Sequence, residues 1–249
     1  MITVNFTTAV STDRRAAFER AATRWDETLN TGFAPVSIDG EQIDGVTIDA
    51  AIAPIDGPAG VLGQAGPTVL LPGSELPAKG VMEFDTADVE QLEAEGSFED
   101  VVLHEIAHVL GFGTLWSRFG LIAASGTANP LFTGDEAARE FGALEGGGSR
   151  PVPLANTGGA GTREGHWREL VFGDELLTGF LSGANRPISR MSLGSFADMG
   201  YEVNFAAADP FELPSFRKLA EMGITEAVRI CDLCRMGRTE PWVLGKKAS

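Results

Sequence analysis

Two of the three histidines in this 249-residue chain lie four positions apart, with a glutamate directly after the first. The segment is His104-Glu105-Ile106-Ala107-His108, and it lies in an apolar run that is typical of a buried helix. On a helix, residues i and i+4 share one face, so both imidazoles can point at one ion. A fold that buries this helix has to satisfy its polar side chains, since each unpaired one costs about 1–3 kcal/mol. A bound metal ion would do so.

The spacing of these residues is the H-E-x-x-H pattern of zinc-dependent hydrolases. A catalytic zinc ion takes three protein ligands and keeps a fourth position for water, whose pKa it lowers to about 7. Neutral imidazole is a good zinc ligand, so the pattern predicts His104 and His108 as two of the three. Glu105 is placed to take the proton of that water and to deliver it to a leaving amine.

A third ligand has to come from elsewhere in the chain. The short form of the motif, H-E-x-x-H-x-x-G-x-x-H, would place a histidine where this chain has Thr114, although Gly111 matches its glycine. The remaining histidine, His166, is therefore the predicted third ligand, beyond the long stretch 109–165. Some zincins use a glutamate as third ligand instead, which leaves three alternatives open: Glu140, Glu164 and Glu169.

Charge and composition bear on the class of partner. The net charge is −16, with 35 acidic against 19 basic residues, which disfavours nucleic acid and anionic membrane surfaces. No apolar run approaches the roughly 20 residues that cross a bilayer, so no membrane-spanning segment is predicted. No signal peptide is visible at the N-terminus, which lacks a basic region and a long apolar region. The expected partner is a protein or peptide substrate, and the oligomeric state is not predicted.

Other metal and disulfide sites have little support in the sequence. Cys231 and Cys234 form a single C-D-L-C, and the first 230 residues contain no cysteine, so no disulfide framework is predicted. A four-cysteine zinc site would need a second pair, and we assign the existing pair no function. Asp44, Asp49 and Asp56 offer oxygen ligands for calcium, but no loop matches a known calcium-binding pattern.

Residue periodicity predicts both strands and helices around the motif. Five segments have the pattern of strands: Ile2–Phe6, Val46–Ile52, Thr68–Leu71, Val81–Phe84 and Val203–Phe205. Seven segments have the pattern of helices: Thr12–Leu29, Thr86–Glu95, the motif helix from Ser97, Gly134–Leu144, Ser189–Met199, Leu213–Met222 and Thr225–Cys231. Ser97 and Asp100 resemble a capping box at the start of the motif helix, and Gly111 and Gly113 end it.

The motif in its context resembles the leishmanolysin-like metzincin zinc metallopeptidases of bacterial type. The residues that carry the resemblance are His104 to Gly111, then a long insertion, then Gly165-His166-Trp167. Two further segments, 55–67 and 197–204, are similar to bacterial members, and the resemblance covers roughly residues 1–210. In that family an insertion after the motif glycine displaces the third zinc histidine far downstream.

The resemblance implies an α+β, metzincin-like zincin fold, with a twisted mixed sheet, an active-site helix and a more irregular C-terminal lobe. The implied lobes are residues 1–113, with the H-E-x-x-H helix, and residues 114–249, with the third zinc histidine. Together they would form one catalytic domain that binds one zinc ion through His104, His108 and His166.

The implied activity is that of a secreted or cell-surface endopeptidase with Glu105 as its general base. A zinc-containing binding or adhesion module with weak or no proteolysis is the alternative. Hydrolysis of a non-peptide amide is a third interpretation.

The chain departs from the family in the turn that carries a methionine beneath the zinc. That turn is a Glu-Leu-Met-Thr-like segment in the family and Glu175-Leu176-Leu177-Thr178 here, so Leu177 takes the place of the methionine. The exchange nearly conserves volume and usually costs less than about 1.5 kcal/mol, so we expect zinc binding to survive it. An edge strand beside the cleft is expected to pair with extended peptides. Val81–Phe84 is a candidate for a strand adjoining the cleft, and a plain core strand is the other interpretation.

Overall fold

A computed structural model describes residues 1–58, 60–159, 161–181, 186–215, 218–219, 228–229 and 241–245. The helices are α1 (Thr12–Thr28), α2 (Thr86–Ala94), α3 (Phe98–Val109), α4 (Asp135–Leu144), α5 (Glu169–Phe172) and α6 (Arg190–Met199). The strands are β1 (Thr3–Phe6), β2 (Leu29–Asn30), β3 (Val36–Ile38), β4 (Glu41–Ile43), β5 (Thr47–Ala53), β6 (Gly63–Leu70), β7 (Pro77–Asp85), β8 (Ile122–Ala123), β9 (Leu131–Phe132), β10 (Val152–Pro153), β11 (Phe180–Leu181), β12 (Glu202–Val203), β13 (Val228–Arg229) and β14 (Trp242–Val243).

The main sheet has five strands in the order β1-β5-β7-β6-β14. β1, β5 and β7 run parallel, whereas β6 runs antiparallel to β7 and pairs in parallel with β14. The motif helix α3 packs against β6 and β7 on one side and against α1 on another. The predicted α+β class with a mixed sheet is confirmed.

Helix α1 holds α3 in place through buried aromatic side chains. The ring of Phe18 meets the rings of Phe84 on β7 and Phe98 on α3 edge to face, at centroid distances of 5.3 and 5.7 Å. Trp25, about two turns further along α1, donates from Nε1 to the Leu103 carbonyl at 2.9 Å. Leu103 directly precedes His104, so this hydrogen bond holds α3 in place next to the first motif histidine.

Strands β6 and β7 are both longer than the sequence predicted. Glycine and proline are frequent in residues 53–80 and favour turns when read alone, but Gly63 to Leu70 forms a continuous strand beside β7, with a register shift after Pro67. Among the described residues, β14 pairs with β6 at Val69 and Leu70 and not at Pro67, which fits the tolerance of proline at positions where a strand lacks a partner on one side. β7 lies between β5 and β6, so Val81–Phe84 is a core strand, the second of the two interpretations, and it offers no free edge to a peptide.

Two predicted details at the ends of helices and strands are wrong. Ser97 does precede α3, but its backbone is helical and its side chain makes no capping hydrogen bond; Asp100 pairs with Arg186 at 2.5 Å instead. The strand predicted at residues 203–205 ends at Val203 and gives way to a 3-10 turn, Phe205–Ala207.

Most of the chain after residue 215 lies outside the described residues, including Cys231, Cys234 and most of the two predicted tail helices. Of the second of these helices, Val228–Arg229 is described and pairs with β11 as a strand, so the helix prediction is wrong there. No helix among the described residues is long and apolar enough to cross a membrane.

After α3, helices α4 and α6 pack against each other. Asp198 of α6 accepts from the backbone N–H groups of Glu136 and Ala137 at 2.8 and 3.0 Å and thereby caps the start of α4. Gly194 allows this close packing, since a Cβ atom there would lie 2.7 Å from the Ala137 nitrogen. The division into lobes at residue 113 stays a prediction.

Candidate metal centre

Helix α3 places His104 and His108 on one buried face, with ring centroids 4.7 Å apart. The helix ends at Val109, and the chain turns at Gly111, whose φ of +110° lies in a region that side chains disfavour. The predicted helix and its glycine stop are confirmed. Thr114 donates from Oγ1 to the His108 carbonyl at 2.8 Å and thus lies beside the helix end.

His166 reaches the same point because two glycines allow the chain to pass very close to itself. Gly113 has a φ of +70°, and a Cβ atom there would lie 2.1 Å from the Gly165 carbonyl oxygen. Gly165 directly precedes His166, so this backbone contact brings the distant histidine to the end of α3. Backbone hydrogen bonds on either side, from Ala155 to the His166 carbonyl and from Trp167 to the Leu177 carbonyl, hold the segment in place.

The three imidazoles converge on one point through their Nε2 atoms. Nε2 of His104 lies 2.9 Å from that of His108 and 3.0 Å from that of His166, and the third distance, between His108 and His166, is 3.1 Å. Four ligands at about 2.0–2.1 Å in a tetrahedral zinc site would put the nitrogens about 3.3 Å apart. The three nitrogens therefore have the spacing that a small metal ion requires.

The other ring nitrogen of each histidine faces a backbone carbonyl. Nδ1 of His104, His108 and His166 lies 2.8, 2.8 and 3.0 Å from the carbonyls of Leu176, Phe112 and Thr162, respectively. A carbonyl can only accept, so each neutral ring carries its proton on Nδ1 and presents a lone pair from Nε2. Three lone pairs aimed at one another repel unless a cation lies between them, and hydrogen bonds of this kind orient metal-binding histidines.

Burial keeps the three histidines neutral. It lowers the pKa of His104 to about 4 and that of His166 to about 3. The pKa of His108 is lowered well below its usual range by burial and by the neighbouring His104 and His166. All three side chains are 0 % exposed. At neutral pH the centre therefore presents unprotonated imidazoles, the form that binds metal ions.

Glu105 directly follows His104 on α3 and is also 0 % exposed. Within the part of the chain that the structure describes, neither of its carboxylate oxygens has a hydrogen-bond partner. Burial raises the pKa of the Glu105 carboxyl well above its usual range. Burying a carboxyl group without hydrogen bonds costs folding free energy. Carboxyl groups with raised pKa values are common at sites that transfer protons.

Gly63, the first residue of β6, makes room for the Glu105 side chain. A Cβ atom at Gly63 would lie 3.1 Å from Cγ and 3.2 Å from Oε1 of Glu105, which is closer than normal contact. We expect Gly63→Ala to move the carboxylate by a few tenths of an ångström and to lower any Glu105-dependent hydrolysis on the order of tenfold.

Gly66→Ala on the same strand is the control for this prediction, because a Cβ atom there meets nothing within 4 Å. The comparison requires kcat/KM, the zinc content and the thermal unfolding of both variants. Equal rates for the two variants would show that Gly63 does not set the position of Glu105.

The alternative third ligands lie elsewhere. Glu140 pairs with Arg190 at 2.8 Å, and Glu164 accepts from Ser125 Oγ and Gly126 N at 2.6 and 2.7 Å. Among the described residues, the only group of three or more histidine, cysteine or acidic side chains that could hold a metal ion is His104, His108 and His166. Glu169 belongs to no such group, so the structure does not support it as a third zinc ligand. Asp44, Asp49 and Asp56 belong to none either, so the structure gives a calcium site there no support.

Several residues that shape the centre have no counterpart in the sequence predictions. The carbonyls of Phe112, Thr162 and Leu176 act through the backbone, which leaves no signature in residue type. Gly63 begins a strand that the sequence did not predict at this position, so its residue type alone gave no sign that Glu105 approaches closely. Only the position of β6 beside α3 shows why a glycine is needed there.

Comparison with protein-family models gives no match, and comparison with curated proteins gives no significant match. The functional interpretation therefore depends on the residues and their geometry. The described chain is an α+β protein with a buried cluster of three histidines, two of them in an H-E-x-x-H helix, that can hold a metal ion such as zinc.

Proposed function

We propose that this protein is a zinc-dependent endopeptidase. The observation that carries the proposal is the convergence of three Nε2 lone pairs, from His104, His108 and His166, with the buried carboxyl of Glu105 directly after His104 on α3. Peptide bonds as the substrate, and a secreted or cell-surface location, rest on the resemblance to leishmanolysin-like metzincins.

His104, His108 and His166 would bind zinc through Nε2, with their Nδ1 hydrogen bonds holding the rings in that orientation. When bound, zinc lowers the pKa of a coordinated water and polarises the substrate carbonyl. Glu105 would accept the proton of the attacking water on a carboxylate oxygen and then donate it to the nitrogen of the leaving amine. A carboxyl whose pKa is raised by burial is suited to hold that proton between the two transfers.

β6 replaces Val81–Phe84 as the candidate strand for pairing with a peptide. Its first residue, Gly63, packs on Glu105, and its partner on one side is β7. On the other side, among the residues that the structure describes, it pairs only with β14 at Val69 and Leu70. An extended peptide paired beyond these two residues would run toward the end of β6 that lies at Glu105.

A zinc-containing binding module remains the second candidate, because Glu105 and the three histidines are fully buried and a substrate has to reach them. A purely structural zinc site is usually closed by a fourth protein ligand. The described part of the chain brings three such ligands together and no fourth. Glu105 would also have no use in a structural site, and both points favour the enzyme.

Metal analysis combined with a digestion assay tests the proposal. We expect about one zinc ion per chain, cleavage of casein or of a peptide library, and loss of cleavage when a chelator removes the metal. Restoring zinc should restore activity. Zinc-bound protein that leaves both substrates intact would contradict the endopeptidase and favour the binding module, whereas protein without affinity for zinc would contradict both.

A further inference from the structure

The turn from Glu175 to Thr178 contacts the segments that carry two of the three histidines. Its Leu176 carbonyl accepts from Nδ1 of His104 at 2.8 Å. The next carbonyl, that of Leu177, accepts from the backbone N–H of Trp167, directly after His166, at 3.1 Å. A shift of this turn would therefore move both the carbonyl that orients His104 and the backbone hydrogen bond directly after His166.

The turn is held by the buried carboxylate of Glu175, which is 1 % exposed. One oxygen, Oε2, accepts from the backbone N–H of Leu177 at 2.7 Å. The other, Oε1, accepts from the N–H and the hydroxyl of Ser189 at 3.1 and 2.8 Å, and from the hydroxyl of Ser192. The carboxylate thus joins its own turn to the first turn of α6.

The protons in this network all point toward Glu175. Trp167 Nε1–H can only donate, and it does so to Ser192 Oγ at 2.7 Å, so the hydroxyl proton of Ser192 is directed onward to Glu175. Ser189 Oγ accepts from the N–H of Ser192 at 3.2 Å, and its hydroxyl in turn donates a hydrogen bond to Glu175. Every contact of the carboxylate is then with a donor, which only an ionised carboxylate satisfies in full.

We propose that Glu175 is a positioning residue for the metal centre, holding the Leu176 carbonyl against His104 and, through Ser192 and Trp167, the segment of His166. This inference rests on the proposed zinc site. Glu175 lies outside the centre and would touch neither the metal nor a substrate. It acts on the orientation of two ligands, so its removal should weaken metal binding and change the ligand geometry.

Glu175→Gln tests this role with almost no change in volume. The amide group would direct N–H atoms at existing donors, so the turn would have to shift. We expect zinc affinity, measured by competition with a chromophoric chelator, to fall about 10–100-fold, the usual effect of losing a group that orients ligands. We also expect the visible absorption of the Co²⁺-substituted chain to change, since that spectrum reports the geometry of the ligands.

Asp198→Asn is the matched control, because Asp198 also accepts two backbone N–H bonds and also joins two elements, but within the described residues these bonds come from Glu136 and Ala137 of α4 and not from the turn or a histidine segment. We expect it to lower the unfolding temperature while leaving zinc affinity within about twofold and the cobalt spectrum unchanged. Ser192→Ala is the milder second variant. It removes the link between Trp167 and Glu175 and should weaken zinc binding in the same direction, by less.

The outcomes separate this inference from the proposed function. A wild-type chain that takes up no zinc would overturn the proposed function and the role of Glu175 with it. Tight binding by the wild type, together with equal affinity and an unchanged cobalt spectrum in Glu175→Gln, would overturn the role of Glu175 alone. If Glu175→Gln does not fold, Ser192→Ala decides: weaker zinc binding supports the positioning role, and wild-type binding overturns it.

Discussion

Replacement of Glu105 by glutamine is expected to lower kcat/KM for peptide cleavage by about 10²–10⁴-fold, the usual contribution of a general acid–base group. The amide has nearly the volume of the carboxyl, so it fits the same buried space under Gly63. It cannot accept the proton of an attacking water. Since the three histidines hold the metal and Glu105 does not, we expect the variant to retain about one zinc ion per chain.

Glu140→Gln is the matched control for this measurement. Glu140 is also a buried carboxylate, but it pairs with Arg190 at 2.8 Å and belongs to no metal group. We expect its loss to lower stability and to leave kcat/KM nearly unchanged. Undiminished cleavage by Glu105→Gln would contradict the role of Glu105 as general base. Loss of zinc from that variant would show that Glu105 also contributes to metal binding.

The motif helix could be predicted from the sequence because its signals are local. The i,i+4 spacing of His104 and His108 sets their common face, and the apolar residues around them require burial. Gly111 is the residue that a helix end with positive φ favours, and the structure has φ +110° there. Each of these inferences needs only the neighbouring few residues, so tertiary contacts did not have to be known.

The position of His166 is a different kind of inference. No local pattern says that residue 166 meets residue 108. The prediction depended on histidine being scarce and on the resemblance to a family with a long insertion. What brings the two together is the contact between the backbones of Gly113 and Gly165, and a contact between distant glycines has no periodicity to reveal it.

The strands β6 and β7 show where local signals mislead. Glycine and proline in 63–80 favour turns when read alone. In the sheet, the lack of side chains is what the packing requires: a Cβ atom at Gly80 would lie 2.4 Å from Val109 of α3. Tertiary packing thus overrides local propensity in the strands that lie against the motif helix.

Replacement of Gly113 by alanine is expected to destabilise the protein by about 2–5 kcal/mol. A left-handed backbone costs a residue with a side chain about 1–2 kcal/mol, and a forced overlap in a packed region adds about 1–3 kcal/mol. The overlap is with the backbone of Gly165, which cannot rotate away as a flexible side chain could. Relief requires the two chain segments to separate, and this moves His166 from His104 and His108. We therefore expect zinc affinity to fall together with stability, by at least about tenfold.

Gly120→Ala is the control that measures the cost of the left-handed backbone alone, without the overlap that Gly113→Ala makes with Gly165. Gly120 has a φ of +69°, against +70° for Gly113, but a Cβ atom there meets nothing within 4 Å. It should lose only the conformational part, about 1–2 kcal/mol, and keep wild-type zinc affinity. Urea unfolding of the metal-free variants gives the two stabilities, and chelator competition gives the two affinities. If both variants lose the same stability and bind zinc equally well, the contact between Gly113 and Gly165 is not what carries His166 to the centre.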